Sequence, residues 1–557
     1  MDKLPVEILN RVFDKLHFSQ KTRCALVCRQ WATLIHSYKL LYDLTIENSS
    51  YHKTSAFDDW KKRITQQPRW GKQVRELALI GCLVKKEDIT ILPTLFPYIR
   101  TLVLLPTASN LPNFDTTQST QFEIWHNRLD NMIEGCCHYF TYHLLGTGIF
   151  SRLESITLTY DEYLSISPDK LFERFAHAPA LKYLELKGFR VTFEILETLH
   201  KHAPNIVSLG FYCIQFISDS FPPSIQPAQA LDRLKIFSGE FSTIQIHLWK
   251  RYILSKYPNV IDLVFNTGGF EMNSSENLSH TQILNPMLQI LSPQLKSLGV
   301  TYFPFDPEWF AIMDKENAKL HTLQISAHRI LQTIDGLLSF NQFRNLRVLG
   351  IRLMTPSDYA WLASTVHLEK LKLDFVMKDD GEEQHSVCLN QLLFFCPDTL
   401  KSLTIRHGLV TIATPICNTN SNIQSLKIKH GEIDTLATAF ISEYCNRLQI
   451  LSLIYSTITS WTVHLPKHQL SYLEVSTPDN KTNIKITSND GTRIYSPNHR
   501  FTKVKRSMMK DKLALTNFSN LISTFTNILE KEGDEKTTIH ITCQSLQNLF
   551  VSGHCAF

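Results

Sequence analysis

The sequence predicts an α/β fold built by repetition, with a parallel sheet on the inside and helices on the outside. One spacing, apolar-x-x-apolar-x-apolar, recurs sixteen times along the 557 residues. Most consecutive matches begin about 22 to 29 residues apart, the length of one strand, one helix and two turns. Several matches follow an amphipathic segment and a proline. They begin at Val74, Ile99, Leu153, Leu181, Ile206, Leu231, Val260, Leu295, Leu320, Leu346, Leu368, Leu400, Ile423, Leu448, Leu470 and Leu546.

Residues 171–186 illustrate one repeat. Leu171 and Phe175 belong to a segment with apolar residues at helical spacing, which can place one stripe against a sheet. Pro179 disfavours helical geometry in the residue before it and ends the helix, and residues 181–186 then form a strand. A single unit cannot bury its apolar face alone, so such repeats stack. This period and spacing are typical of a leucine-rich-repeat solenoid, whose curved parallel sheet lies inside an outer row of helices.

Composition narrows the class of protein. With 43% hydrophobic and 20% charged residues, the chain resembles an ordinary folded protein. A net charge of +5, from 57 basic and 52 acidic residues, is too small over this length to indicate general nucleic-acid binding. The 12 cysteines contain no Cys-x-x-Cys pair, and no apolar run reaches membrane-spanning length. We therefore expect reduced thiols, no metal site, no cofactor, no membrane or nucleic-acid partner, and a cytoplasmic or nuclear location.

Residues 1–46 predict three short helices. Pro5 and Glu7 are favourable in the first turn of a helix, and Ile8 and Leu9 begin its apolar face. The module has more apolar faces than it can bury within itself. On physical grounds alone, it could be a cap that shields the first strand of the repeats, as repeat arrays require.

The same segment resembles the F-box. The resemblance rests on Leu-Pro-x-Glu-Ile-Leu at residues 4–9, followed by Val-Cys-Arg-x-Trp at residues 27–31. It implies docking onto a Skp-type adaptor, which bridges to a cullin scaffold, with Trp31 packing the module. Residues 20–22, Gln-Lys-Thr, depart from the acidic residue and leucines usual in the family, which bears on adaptor affinity. The adaptor-binding residues implied by the resemblance are Leu4, Pro5, Ile8, Leu9 and Val27.

The remaining chain divides by changes in pattern. We expect an F-box at 1–46, a linker and entry helix at 47–73, repeats at 74–476 with an insertion near 106–150, and a C-terminal repeat or cap region at 477–557. Helical spacing predicts a helix within 122–145 and another over 515–529. Residues 539–551 predict a closing strand. The basic cluster at 500–512 is read as a solvated connection, with a nuclear address as the alternative.

Alternate strand residues face away from the buried leucines, and from residue 346 onward many of these are basic. Stacked over consecutive strands, they predict a positive stripe suited to an acidic or phosphorylated protein segment. The alternative is a solvated face, partly neutralised by Glu369 and Asp374. The acidic residues 378–383 could shield the stripe. The candidate substrate-binding residues are Arg352, Lys370, Lys372, Arg406, Lys427 and Lys429.

The expected function combines the segment at residues 1–46 with the repeats. The chain contains none of the phosphate-binding loops, zinc-protease motifs or serine-hydrolase motifs that indicate catalysis, so we expect no enzyme. The resemblance implies a substrate-recognition subunit of a Skp–cullin–F-box ubiquitin ligase, with the repeats holding a protein target. Two alternatives stay open: a non-catalytic scaffold outside ubiquitin transfer, and a receptor that needs a small anion beside Lys372 and Arg406.

Overall fold

The structure is a computed structural model, and the chain divides into two compact units, Met1–Ser297 and Leu298–Phe557. The residues that the structure describes are 31, 43–47, 56–82, 86–105, 120–135, 139–160, 166–217, 221–237, 240–241, 246–266, 284–304, 306, 308–327, 330–353, 359–375, 385–413, 421–454, 462–477, 483–488, 491–495, 538–546 and 549–553.

The strands of the first unit are β1 (Asp43–Glu47), β2 (Glu76–Ile80), β3 (Thr101–Leu105), β4 (Asn131–Glu134), β5 (Ser155–Thr159), β6 (Tyr183–Lys187), β7 (Arg190–Val191), β8 (Ser208–Tyr212), β9 (Gln215–Phe216), β10 (Arg233–Phe237), β11 (Glu240–Phe241) and β12 (Asp262–Asn266). Nine of these described strands pair in parallel, each with the strand of the next repeat. The register is constant, with Leu184 opposite Leu209 and Leu209 opposite Leu234. Strands β7, β9 and β11 form a second, short parallel sheet.

Helices connect the strands of the first unit on the side that buries the leucines. At the start of one of them, the Oγ1 atom of Thr192 accepts a hydrogen bond of 3.2 Å from the Ile195 N–H, the usual arrangement of an N-cap. The helices are α1 (Ala56–Gln66), α2 (Pro68–Gly71), α3 (Lys86–Leu95), α4 (Glu123–His126), α5 (Tyr139–Leu145), α6 (Pro168–Glu173), α7 (Phe193–His202) and α8 (Ile246–Lys256), with a 3-10 turn at Arg174–His177.

The strands of the second unit are β13 (Ser297–Pro304), β14 (Thr322–Ala327), β15 (Val348–Leu353), β16 (Lys370–Phe375), β17 (His385–Cys388), β18 (Ser402–Arg406), β19 (Gly408–Thr411), β20 (Ser425–Lys429), β21 (Glu432–Ile433), β22 (Ile450–Ile454), β23 (Thr462–Leu470), β24 (Tyr472–Thr477), β25 (Asn483–Ser488), β26 (Gly491–Tyr495), β27 (Thr538–Leu546) and β28 (Leu549–Gly553). From β14 to β28, eight of them form a parallel ladder. Strands β17, β19 and β21 form a short parallel sheet.

The end of the second unit adds a sheet of a different kind. Strand β27 pairs in parallel with both β23 and β25, and β25 pairs antiparallel with β26. Within the helical part, the carboxylate of Asp434 accepts the Ala437 N–H at 2.5 Å and so caps the start of a helix. The helices of this unit are α9 (Glu308–Lys315), α10 (Ile330–Ser339), α11 (Leu389–Phe395) and α12 (Thr435–Tyr444), with 3-10 turns at Phe343–Asn345 and Ala360–Ser364.

The repeated apolar residues form the core. Leu181, Leu184 and Leu186 are each at most 1% exposed, and the corresponding residues of the other described repeats are buried in the same way. Complete burial of one such side chain contributes about 1.5–3 kcal/mol, so a column of them accounts for much of the stability of the ladder. The predicted α/β repeat fold, a long parallel sheet with helices, is confirmed.

The helix predicted within 122–145 is wrong for residues 131–134, which form β4 and continue the ladder between β3 and β5. Leu129 and Met132 occupy two of the buried positions of a repeat, but Glu134 occupies the third. Its carboxylate, 0% exposed, accepts the N–H of Phe140 at 2.9 Å and that of Thr141 at 2.8 Å, both at the start of α5. A buried acid is tolerated here because the helix supplies its hydrogen bonds.

The residue after a strand often adopts left-handed backbone geometry. Gly81, Gly188, Cys213, His407 and His430 have φ angles of 61°, 73°, 53°, 56° and 51°. Glycine adopts this geometry without a steric cost, and histidine is enriched in it among the other residues. The Gly188 N–H still donates to the Tyr212 carbonyl at 2.8 Å, as a further rung of the ladder. After Gly188, Cys213, His407 and His430, the chain continues into the short strands β7, β9, β19 and β21.

Several predicted segments lie outside the described residues. These are the F-box helices except Trp31, the acidic residues 378–383, the basic cluster at 500–512 and the helix at 515–529. The division of the chain at residues 46, 73 and 476 stays a prediction.

Candidate protein-binding face

The six basic residues predicted to bind a target lie on one face of the second unit, on four neighbouring strands. They alternate with buried residues such as Leu371 and Leu373, so they point away from the leucine core. Two rows cross the strands at fixed register. The distal row runs Arg352, Asp374, Arg406 and Lys429, and the middle row runs Gly350, Lys372, Thr404 and Lys427.

The strand register brings five of the six residues together. Neighbouring strands lie about 4.8 Å apart, so each row spans four positions over roughly 14 Å. Lys370 lies one row further toward the start of the strands, opposite Val348 and Ser402, and it is exposed. The other five are half-buried. We call the distal and middle rows together the basic face.

Asp374 is the one acidic residue within the two rows. Its Oδ2 atom lies 3.8 Å from Nη1 of Arg406, and its Oδ1 atom lies 3.1 Å from Nδ1 of His407. Burial acts to raise the pKa of the Asp374 carboxyl, but the hydrogen bond with His407 and the surrounding positive charges outweigh it. The pKa therefore lies below its ordinary value, and Asp374 is ionised at neutral pH.

Lys372 lies at the centre of the basic face. Burial lowers the pKa of its ammonium group, and the nearby charge of Arg406 lowers it further, while Asp374 acts in the opposite direction. In the part of the chain that the structure describes, Lys372, Lys427 and Lys429 form no ion pair. One carboxylate therefore faces five cationic side chains, and the face keeps a positive excess that can attract anionic groups.

Two histidines at the edge of the basic face were missed by sequence reasoning. His407 and His430 follow β18 and β20, and their rings stack with centroids 5.4 Å apart and planes 14° apart. Burial, followed by the charges of His407 and Arg406, lowers the pKa of His430. The available signal was a histidine directly after each of these two strands. The left-handed backbone that orients the two side chains cannot be predicted from the repeat spacing.

The exposed face of the first unit carries a different set of groups. The rings of Tyr212 and Phe237 stack 4.8 Å apart, and Nζ of Lys187 lies 5.5 Å from the centre of the Tyr212 ring. The Tyr212 hydroxyl donates to Glu185 at 3.2 Å, and burial, together with the Glu185 charge, raises the pKa of Tyr212 to about 12. The strands described for the first unit carry no continuous basic row on this surface.

The residues predicted to bind an adaptor lie outside the described residues: Leu4, Pro5, Ile8, Leu9 and Val27. Within the part that the structure describes, no group of three or more His, Cys, Asp or Glu side chains is arranged to hold a metal ion. No helix among the described residues is both long and apolar enough to cross a bilayer.

Comparison with known proteins adds one family match. The model of the F-box-like family matches residues 1–46. No protein with a curated description matches the chain in sequence. Among solved structures, the crystal structure of the mouse RP105/MD-1 complex is similar to 78% of this chain and 69% of that chain, at 14% identity and a TM-score of 0.33. The chain therefore carries an F-box-like segment ahead of its parallel repeat ladders.

Proposed function

We propose that this chain is the substrate-recognition subunit of a Skp–cullin–F-box ubiquitin ligase. The F-box-like match at residues 1–46 carries this proposal, because F-box modules dock onto Skp-type adaptors. In this role Leu4, Pro5, Ile8, Leu9 and Val27 contact the adaptor, and the adaptor links the chain to a cullin. The chain itself is non-catalytic.

The basic face is the proposed site for the protein target. Arg406 and Lys429 lie opposite each other on neighbouring strands about 4.8 Å apart, and Lys372 and Lys427 lie two strands apart in the other row. Asp374 is the single acid in the two rows. Charge-assisted hydrogen bonds from lysine and arginine to carboxylate or phosphate are among the strongest polar contacts in proteins. An acidic or phosphorylated segment that crosses the strands fits this arrangement. Holding it there raises the effective concentration of its lysines near the ubiquitin-conjugating enzyme.

Adaptor docking is tested by a pull-down of the full chain beside a Leu4→Ala/Pro5→Ala variant. We expect the intact chain to retain a Skp-type adaptor and a cullin, and the variant to lose both while keeping proteins bound by the repeats. A Lys170→Gln/Lys201→Gln variant, altered on helices of the first unit, serves as a control and should keep the adaptor. If the intact chain captures no adaptor, residues 1–46 act as a cap and the ligase proposal fails.

Target binding is tested by a Lys427→Gln/Lys429→Gln variant, which removes two cations and leaves the Asp374–His407 pair in place. Proteins whose capture falls about tenfold or more, while adaptor capture is unchanged, are candidate targets. Each is then tested for ubiquitin transfer with ubiquitin, ATP, the activating and conjugating enzymes, and purified adaptor, cullin and full chain. We expect transfer to depend on Lys427 and Lys429. Adaptor binding without transfer to any such protein would instead indicate a scaffold outside ubiquitin transfer.

A further inference from the structure

A second basic region lies at a different edge of the second unit. A cleft of about 590 Å3 opens where the chain enters β14, β15, β16 and β18, at the amino-terminal ends of these strands. Its lining includes five basic side chains and one acid: Lys319, His321, Arg347, His367, Lys401 and Glu369. None of these belongs to the basic face, whose residues lie further along β15, β16 and β18 and on β20.

The repeat explains why these side chains converge. His321, Arg347, Glu369 and Lys401 each come directly before a strand, and the buried leucine of the repeat precedes each of them. Their backbones form rungs of the ladder: the Arg347 N–H donates to the His321 carbonyl at 2.9 Å, and the Lys401 N–H to the Glu369 carbonyl at 2.9 Å. With about 4.8 Å between strands, this row spans roughly 14 Å.

The lining of the cleft contains more basic than acidic side chains. Glu369 faces Lys401, with 3.7 Å between Oε2 and Nζ. Among the described residues, Lys319 and Arg347 have no partner within ion-pair distance. With both histidines neutral, three cations and one carboxylate leave a net charge of +2.

The same edge of the first unit is arranged differently. There Asp130 pairs with Arg152 at 3.0 Å and lies 4.0 Å from Arg100, and Glu154 pairs with Lys182 at 3.1 Å. Each of the three basic side chains named there lies within 4.0 Å of an acid. The cleft differs because, among the described residues, Lys319 and Arg347 have no such acidic partner.

We propose that the cleft binds an anion that carries two or more phosphate groups. Arginine offers a planar fork of N–H donors suited to phosphate oxygens, and lysine offers a point charge. Histidine contributes an N–H in either tautomer, and the amides of Gln342 and Asn345 add further donors. A row of roughly 14 Å is longer than one phosphate group, which favours a ligand with at least two. This binding is independent of adaptor docking and goes beyond the ligase role.

Titration calorimetry of the full chain with inorganic tripolyphosphate, without adaptor, tests the proposal. We expect saturable binding that Arg347→Gln weakens by about tenfold and Arg347→Gln/Lys401→Gln abolishes. Glu369→Gln should tighten binding, because it removes a repulsive charge and releases Lys401. These side chains are exposed or half-exposed, so the variants should keep the thermal midpoint of the parent chain.

Two control variants remove the same charge elsewhere. Arg152→Gln/Lys182→Gln alters the same edge of the first unit, and Lys170→Gln/Lys201→Gln alters two of its helices. Both should bind tripolyphosphate within about twofold of the parent chain. Equal weakening in a control, or no binding by the parent chain, would overturn the proposal.

A peptide with two phosphoserines distinguishes the source of the phosphate groups. If tripolyphosphate binds more tightly than the peptide, the ligand is a free polyphosphorylated molecule. If the peptide binds more tightly, the ligand is a phosphorylated protein segment. Either result supports the site, provided that Arg347→Gln weakens the binding of the preferred probe.

Discussion

At the scale of single residues, the first unit contains a polar cluster between α7 and α8. Nζ of Lys256 lies 2.7 Å from Glu197, and the Tyr252 hydroxyl donates to the same carboxylate at 2.7 Å. Nε2 of His200 lies 3.1 Å from the Tyr257 hydroxyl. The Lys256 side chain is 2% exposed, and His200 is 8% exposed. Burial, and secondarily the Lys256 charge, lowers the pKa of His200 to about 3.

This pKa predicts a loss of stability in acid. The unfolded chain binds a proton at His200 near the ordinary value of 6.5, whereas the folded chain does not until about pH 3. The contribution is therefore complete above pH 6.5 and is lost as pH falls toward 3, at about 1.4 kcal/mol per pH unit. We expect urea unfolding at a series of pH values to show this slope for the first unit.

A His200→Gln variant isolates the effect, because its amide does not titrate and can still bond the Tyr257 hydroxyl. The variant should lose the part of the slope between pH 6 and pH 4 that the imidazole causes. His202→Gln, two residues along the same helix, is the matched control and should keep it. An unchanged slope in His200→Gln would mean that His200 stays accessible to protons in the folded chain.

At the scale of elements, Glu134 links a strand to the helix that follows it. Glu134→Gln keeps the shape of the side chain but loses its charge and one acceptor, although the Phe140 and Thr141 N–H groups and the Thr141 hydroxyl all donate to it. We expect α5 to lose about 2 kcal/mol of local stability. Amide exchange over residues 139–145 should then be faster by roughly 30-fold.

The control is Glu154→Gln. Its carboxylate is half-exposed and pairs with Lys182 at 3.1 Å, and such a surface pair contributes at most about 1 kcal/mol. Exchange in α5 should be unchanged by this substitution. Similar exchange rates in both variants would mean that the start of α5 does not depend on Glu134.

The burial of Glu134 was not predicted from the sequence. The burial of Leu181, Leu184 and Leu186 was predicted correctly, because local spacing alone determines it. Glu134 is charged where the repeat spacing predicts an apolar residue. Its burial depends on hydrogen bonds from the start of α5, which the sequence around residue 134 does not predict. Strand alternation was enough to predict that the basic residues share one face. The orientation of His407 and His430 depends on left-handed turns, which strand periodicity does not predict.

At the scale of the whole molecule, each repeat is stabilised mainly by its two neighbours. Strand β24 pairs with β28, and β23 pairs with β27, so residues 538–553 cover the last rungs of the second unit. Removal of residues 538–557 should expose the edge of β24. We expect faster amide exchange over residues 462–477, an unchanged rate over residues 155–187 in the first unit, and concentration-dependent association through the open edge.

A shorter truncation is the control for this prediction. Removal of residues 554–557 alone should leave exchange over 462–477 unchanged, since both closing strands are kept. If the longer truncation also leaves that exchange unchanged, β27 and β28 do not support the strands beside them.

The independence of successive strand pairings has one further consequence. The connection after a strand can have almost any length. The pairing of the next strand depends on its own buried leucines and not on the preceding turn. The chain uses this freedom unequally: two residues, 188–189, separate β6 from β7, whereas 376–384 separate β16 from β17. Added sequence can therefore accumulate at this edge without shifting the register, so the protein can acquire new surface there while its scaffold stays constant.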